Sequence, residues 1–351
     1  MAKAAVVGGG IAGLSAAYFL AREGFSVDLY EMEYPGYSAS GKSAGILVTI
    51  FEEDLLRHVI ETYEFYRGLP GSEGRIVEKP ALWVVKNREC AERIMEIHGK
   101  LGLSPPRTGI EDLGIDFDLG GDYYAVIKTF IVDTGWVINS LYSTLTSMGV
   151  RIHESRAVRR GPWLYAGEER LEGPVIVAAG PWTPQLLPEV SGATVIYRCQ
   201  LASVEGPTPG MVIEDDSLGY YLVPVSRSRF NIGDGSNAVI DDPFEGFKPD
   251  PEDTYRVLEQ YASRVPEAWE SRIVQIWSAP CITTGDSLPL AAEIRDSVYA
   301  LTGFNGAGIS LAPSIARLLV ENIVAGKPLP SKYSGLDRVA EGVVEPYSIE
   351  C

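Results

Sequence analysis

Histidine and cysteine are scarce in this chain of 351 residues: His58, His98 and His153 are the only histidines, and Cys90, Cys199, Cys281 and Cys351 the only cysteines. The cysteines are scattered without a C-x-x-C pair, so the sequence supports neither a zinc site nor a disulfide framework, and no metal is expected. Basic charge is also short. Asp and Glu number 47 against 30 Lys and Arg, a formal net charge of −17, which repels the phosphates of nucleic acid and anionic lipid. Neither is an expected partner. No uninterrupted apolar run is long enough to span a bilayer, so no transmembrane segment is expected. The first apolar stretch is short and glycine-interrupted, with no charged leader or cleavage site, unlike a secretory signal. The expected location is cytoplasmic. A repeat period and low-complexity tracts are lacking too.

The composition that remains is globular, with 46% hydrophobic and 22% charged residues. The length exceeds the usual single domain, so two domains or one domain with a large insertion are expected.

The chain opens on VVGGGIAGLSAAYFLAREGFSVDLYE. Ala4 to Val7 is a short apolar run, Leu14 to Glu23 has helical spacing and stops at Gly24, and Ser26 to Tyr30 alternates. This is a strand, helix, strand unit. Gly8, Gly10 and Gly13 fit G-x-G-x-x-G in the context that the motif requires. The first permits a tight turn, the second lets backbone amides approach a pyrophosphate, and the third lets helix and strand pack closely. Glu31 ends the next strand, where a carboxylate accepts hydrogen bonds from a ribose. Ile11, Ala12 and Met32 complete this first expected cofactor cradle. The motif by itself does not separate NAD from FAD.

The stretch SASGKSAGIL, Ser38 to Leu47, is small, polar and cationic, suited to wrapping a second phosphate and the linker to a ring system. A nicotinamide enzyme has no clear need for it. Further on, EEDLLRHVIETYEFYRG is an amphipathic helix with Leu55, Val59, Tyr63 and Tyr66 on one side; His58 reads there as a helix-face residue. Residues from about Val77 to Asp118 carry mixed signals. WVINSLYSTLTSMGVRIHE then reads as helix and strand, and GPVIVAAG as a strand of a buried parallel sheet. GYYLVPVSRSRFNIGDG is an antiparallel hairpin, and DPEDTYRVLEQYASRV a helix capped by Asp250. The segment VYALTGFNGAGISLAPSIARLLVENIVAG is strand, glycine-rich turn and a helix starting near Leu311, with Pro313 near its start. A helix N-terminus there suits negative charge on a bound ring system.

In the order of these motifs the chain resembles the D-amino-acid-oxidase-like family of FAD enzymes, which includes glycine oxidase, monomeric sarcosine oxidase and dye-linked proline dehydrogenases. Ser40, Gly41, Lys42, Ser43, Ala44 and Gly45, followed by Ile46, match its S-G-x-x-A-G loop. ESRAV places Val158 where the family's backbone contacts the adenine, and VIVAAGPWT, with Ala179, Gly180 and Trp182, resembles its V-V-x-A-A-G-x-W strand. LTGFNGAGISLAP, with Gly303, Asn305, Gly306, Ala307, Gly308 and Ile309, resembles the C-terminal turn that closes over the flavin. The resemblance implies FAD as the cofactor. It also implies an α/β fold in which a Rossmann-like FAD-binding domain (1–76, 130–194 and 280–351) is interleaved with an α+β substrate-binding domain (77–129 and 195–279) built on an antiparallel sheet.

The resemblance further implies an oxidoreductase that moves a hydride from the carbon bearing a substrate nitrogen to flavin N5. YYLVP matches the family's Y-x-x-P strand, so Tyr221 is either a substrate-side residue or a tyrosine packed in a sheet. WSAPCITTGDSLPL keeps Thr284, Asp286 and Pro289 in register but has Cys281 where glycine oxidase places an arginine. Tyr221 and Cys281 are the catalytic candidates. A second substrate-side arginine is replaced by Gly306, which leaves Arg198, Arg227, Arg229 and Lys42 as candidate carboxylate partners, Lys42 leaning toward the cofactor. The sarcosine oxidases' flavin-linking cysteine falls at Ala279, so non-covalent FAD is expected, with a thioether to Cys281 as a minor alternative. Their oxygen-assisting lysine falls at Asn231, which points to a quinone, a dye or a partner protein as acceptor in place of oxygen, with oxygen kept as an alternative. The expected reaction is C–N dehydrogenation of a small amino acid or secondary amine such as proline, sarcosine or glycine. The alternatives are oxidation of a 2-hydroxy acid or glycerol 3-phosphate, and a flavin-binding subunit of a larger complex.

Overall fold

A computed structural model gives the architecture and describes residues 2–47, 52–105, 108–234 and 238–338. The last stretch of the expected FAD-binding domain, 339–351 with Cys351, lies outside the described residues.

The chain begins with β1 (Lys3–Val7), α1 (Ile11–Arg22) and β2 (Ser26–Glu31), then α2 (Ala39–Lys42), β3 (Ile46–Leu47) and α3 (Glu53–Arg67). Next come β4 (Ile76–Val85), α4 (Arg88–Lys100), β5 (Tyr123–Val132), α5 (Thr134–Ser147) and β6 (Arg151–Glu154). A small ribbon of β7 (Ala157–Arg160), β8 (Trp163–Ala166) and β9 (Glu169–Arg170) precedes β10 (Val175–Val177) and α6 (Thr183–Leu186). Then come β11 (Thr194–Glu205), β12 (Val212–Asp215), β13 (Tyr220–Ser226), β14 (Arg229–Gly233) and β15 (Ala238–Val239). After it come α7 (Pro251–Arg264) and β16 (Arg272–Thr284). The described chain ends with β17 (Leu290–Arg295), β18 (Val298–Thr302), α8 (Gly308–Ala325) and α9 (Ser331–Ser334).

One sheet has the order β17-β18-β10-β1-β2-β6 and is parallel except at β17. The continuous apolar runs of β1 and β10 are explained by burial on both faces. Ala4 and Val6 point into the core shared with α1 and α8, while Ala5 and Val7 point into the opposite core with Leu187 and Val190. The second sheet runs β15-β11-β14-β13-β12-β4-β5-β3, with β16 also pairing β11. It is antiparallel except that β4 and β12 pair in parallel. That pairing departs from a purely antiparallel expectation because the chain crosses back through the first sheet between those two strands. Strands β5 and β16 run through the expected boundaries at 129/130 and 279/280.

Helix α7 is capped as its sequence implies, the Asp250 side chain accepting the Glu252 N–H at 3.0 Å. Arg264 near its end donates to Asp215 at 2.8 Å and Asp122 at 2.6 Å, and these buried pairs tie the helix to the second sheet.

Helix α8 differs from expectation. It begins at Gly308 rather than near Leu311, and Pro313 lies inside it. A proline there removes the N–H that would bond the Ile309 carbonyl. The Tyr66 hydroxyl on α3 donates to that carbonyl at 2.7 Å, which satisfies it and lets the helix start a turn earlier. Among the described residues α8 is long and apolar enough to cross a bilayer by composition. Its Ile309, Leu311, Ile315 and Leu319 are instead buried in the core with α1 and α3, which explains its apolar character.

Candidate active site

Two glycine turns from opposite ends of the chain meet. In the first, Gly8 has φ 108°, and a Cβ there would lie 2.4 Å from the Ala178 carbonyl oxygen at the end of β10. At Gly13 a Cβ would lie 1.9 Å from the Gly8 carbonyl oxygen, so helix and strand touch backbone to backbone. Glu31 accepts the Gly9 N–H at 2.5 Å and the Glu33 N–H at 3.1 Å. Burial lifts its carboxyl above the ordinary carboxylate range, and these amide bonds work against that lift. The Ile11 N–H donates to Ser40 Oγ at 3.0 Å, so Ser40 takes the first amide of α1, and the N-cap residue Gly10 offers no side chain of its own.

The second turn joins β18 to α8. Asn305 sits there with φ 46°, in the left-handed region that asparagine tolerates better than most residues. Its side-chain oxygen accepts from the Tyr197 hydroxyl at 3.1 Å. No side chain caps α8. A Cβ on Gly308 would stand 3.6 Å from Ile11 Cγ2, so the two helix starts adjoin. They frame one cavity of about 720 Å³.

The cavity wall collects most of the residues singled out by sequence: Gly8, Gly10, Ile11, Ala12, Glu31, Met32, Ser40, Lys42, Ser43, Ala44, Ile46, Val158, Ala179, Gly180, Trp182, Tyr221, Cys281 and Asn305 to Ile309. Three glycines lie behind the wall instead. Gly13 packs α1 on β1, Gly45 (φ 75°) lets β3 approach the Val132 carbonyl, and Gly303 (φ 71°) lies against Thr284. Ser38 Oγ, Trp182 Nε1 and Asn305 Nδ2 are on this wall, buried and without protein partners. Together with the two helix N-termini that adjoin there they form a donor set fitted to a ligand rich in phosphate and carbonyl oxygens.

A profile of the family described as FAD dependent oxidoreductase (DAO) matches residues 3–322. The chain belongs to that family. It is therefore an FAD-dependent oxidoreductase, and FAD is the group that the cavity fits. Solved structures agree on the fold. L-proline dehydrogenase from P. horikoshii superposes with a TM-score of 0.81 at 20% identity, covering 95% of this chain and 96% of its own. Glycine oxidase from Geobacillus kaustophilus gives 0.73 at 22% identity, over 95% and 98%. L-amino acid deaminase from Proteus vulgaris gives 0.74 at 17%, over 96% and 97%. No curated protein matches the sequence.

Beyond the cofactor cradles, the oxidoreductase presents the second sheet to the cavity. The Tyr221 hydroxyl lies beside Gly233, where a Cβ would come within 3.1 Å of it. Burial pushes the Tyr221 phenol well above its ordinary value, and nearby Cys199 and Glu214 add to this. Cys281 and Cys199 lie on β16 and β11, both free, and contact with the Cys281 thiol plus burial push the Cys199 thiol up. Sequence reasoning missed Trp83, Tyr197, Cys199, Glu214 and Asp216, all on the wall. An acidic residue within the apolar strand sequence VIED was the signal for Glu214. Of the candidate cations, Arg198 pairs with Asp253 at 2.8 Å and Arg229 with Glu205 at 2.5 Å, and neither they nor Arg227 line the cavity. Lys42 does, with its ammonium 5.2 Å from the Phe247 ring centre.

Proposed function

We propose that the chain dehydrogenates the C–N bond of a small amino acid or secondary amine of the proline, sarcosine or glycine kind. The reading is carried by membership of the FAD dependent oxidoreductase family and by the fold shared with L-proline dehydrogenase and glycine oxidase; in addition, none of the three histidines, all among the described residues, lines the cavity. His58 bonds Ser314 at 2.8 Å, His98 the Ile94 carbonyl at 2.8 Å, and His153 pairs with Asp28 at 2.7 Å. An alcohol needs a base for its hydroxyl proton as hydride leaves, whereas a free amine closes its C=N bond with its own lone pair. Bound FAD supplies the two-electron acceptor, at flavin N5.

The chain's own residues position the substrate and exclude water. Gly8, Gly10, Glu31, Ser40 and Lys42 hold the dinucleotide. Asn305 to Ile309 face the ring, with the α8 N-terminus favouring negative charge there. Tyr221 and Cys281 bound the substrate side. Ala279 stands on the wall two residues from Cys281, and FAD is held without a covalent bond. The division into an FAD-binding domain (1–76, 130–194, 280–351) and a substrate-binding domain (77–129, 195–279) belongs to the same proposal. So does reoxidation by oxygen, a quinone or a partner protein. The names of the similar structures, L-proline dehydrogenase and glycine oxidase, support it.

Anaerobic addition of an amine and amino-acid panel tests this reading. Bleaching of the flavin band by an amine supports it, and bleaching by hydroxy acids alone overturns it.

A further inference from the structure

The substrate side of the cavity holds carboxylates where an amino-acid site needs a cation. Tyr221 on β13 pairs in register with Glu214 on β12, and Glu214 with Trp83 on β4, so the three side chains share one sheet face. Glu214 Oε2 is buried without a hydrogen-bond partner. Burial and the charge of Asp216 hold the Glu214 carboxyl well above the carboxylate range. Asp216, also on the wall, accepts from Trp83 Nε1 at 2.9 Å. Asp234 differs, because Arg256 neutralises it.

The cationic side chains on the wall, among the described residues, are Lys42, Arg156 and Arg159. Lys42 lies over Phe247, Arg156 reaches Gln185 at 3.5 Å and Arg159 pairs with Glu189 at 3.0 Å. None compensates Glu214. A buried carboxylate left unpaired is costly, and a cationic ligand would complete this one.

Distance separates this pair from the reacting end. Strand β11 carries Tyr197, which bonds Asn305 of the α8 turn. Glu214 lies three strands further across the sheet, in the order β11-β14-β13-β12, and its ladder partner on the neighbouring strand is Tyr221. Tyr221 lies between them.

We propose that Glu214 and Asp216 bind an ammonium group remote from the reacting nitrogen, so that the substrate is a diamine rather than an α-amino acid. This rests on the C–N reading above and narrows its substrate class. The reacting carbon loses its hydride to the oxidised cofactor, the C=N bond forms, and the N–H proton leaves to solvent. The remote ammonium is unchanged and serves only to anchor.

The test compares putrescine, n-butylamine and L-proline as anaerobic reductants of the holoenzyme, in the wild type and in the E214Q and D216N variants. Calorimetric titration with putrescine accompanies it. The wild type should prefer putrescine over n-butylamine in kcat/KM. That preference should fall about tenfold to a hundredfold in E214Q, through KM, as expected for loss of a charge-assisted contact. The flavin spectrum reports whether each variant is folded, and D216N keeps the test open if E214Q is not. A preference that survives both substitutions overturns the proposal. So does an equal fall in kcat for every amine in E214Q, which would make Glu214 a proton acceptor instead. Bleaching by L-proline without putrescine binding sinks the ammonium site alone. Bleaching only by hydroxy acids while putrescine still binds sinks the C–N reading alone.

Discussion

The carbonyl of Ile309 couples the stability of α8 to the cofactor cradle. It lies in the first turn of that helix, at the cavity wall, and has lost its backbone donor to Pro313. The fully buried Tyr66 donates to it at 2.7 Å. Tyr66→Phe leaves a buried acceptor unsatisfied, a cost of about 1–3 kcal/mol. For a chain of 351 residues the unfolding entropy is about 0.7 kcal/mol/K, so Tm should fall by about 1–4 °C. Pro313→Ala restores an amide that can reach the same carbonyl. In that background the loss from Tyr66→Phe should shrink to under about half of its single-mutant value. Thermal melts of FAD-saturated protein, followed by near-ultraviolet circular dichroism, measure the four corners of the cycle. Flavin fluorescence should show the weakened FAD affinity of the single mutant recovering in the double mutant. Strict additivity, with Tyr66→Phe equally costly in both backgrounds, would refute the role given to this hydrogen bond.

Gly13→Ala places a methyl 1.9 Å from the Gly8 carbonyl oxygen, and the overpacking should cost about 1–3 kcal/mol. The purified variant should carry less flavin per chain, read from the ratio of flavin to protein absorbance. Arg264→Met strands Asp215 in the second sheet; a loss of about 3–5 kcal/mol is expected, measurable as a lowered denaturation midpoint with FAD bound. Burial raises the Asp216 carboxyl to about 6, with the Trp83 hydrogen bond opposing and Asp215 reinforcing the shift. Its folded value exceeds the unfolded one, so its contribution to stability is full below the ordinary value of 3.8 and lost as pH rises to about 6. Over the same window ionised Asp216, beside Glu214, gains affinity for a cation. The KM for putrescine should fall through that window, and Asp216→Asn should flatten this limb of the profile.

The dinucleotide end was legible because its physics is local. A turn that tolerates no Cβ, a helix start whose N-cap is glycine and a carboxylate one strand away lie within Gly8 to Glu31, and the chain writes them consecutively. The C-terminal turn was legible for the same reason, and its convergence on the first followed from the family resemblance. Where α8 begins was misjudged, because Pro313 reads as a helix-start residue until Tyr66, far away in sequence, supplies the missing donor. Gly13, Gly45 and Gly303 belong to the right motifs but lie behind the wall, the first two against backbone carbonyls and Gly303 against the Thr284 side chain, a distinction that only the packing reveals. The substrate side was least legible. Glu214, Trp83 and Tyr221 come from three strands, and only the register of the second sheet brings them onto one face. The arginine candidates fell away for a similar reason, since the carboxylates that occupy Arg198 and Arg229 are distant in sequence.

Hydrogen exchange before and after loading the apoprotein with FAD tests most directly whether both glycine turns grip one cofactor. The account predicts protection of the amides in 8–14 and in 305–311 together, saturating at one FAD per chain. Protection confined to the N-terminal turn, with 305–311 unchanged, would contradict it.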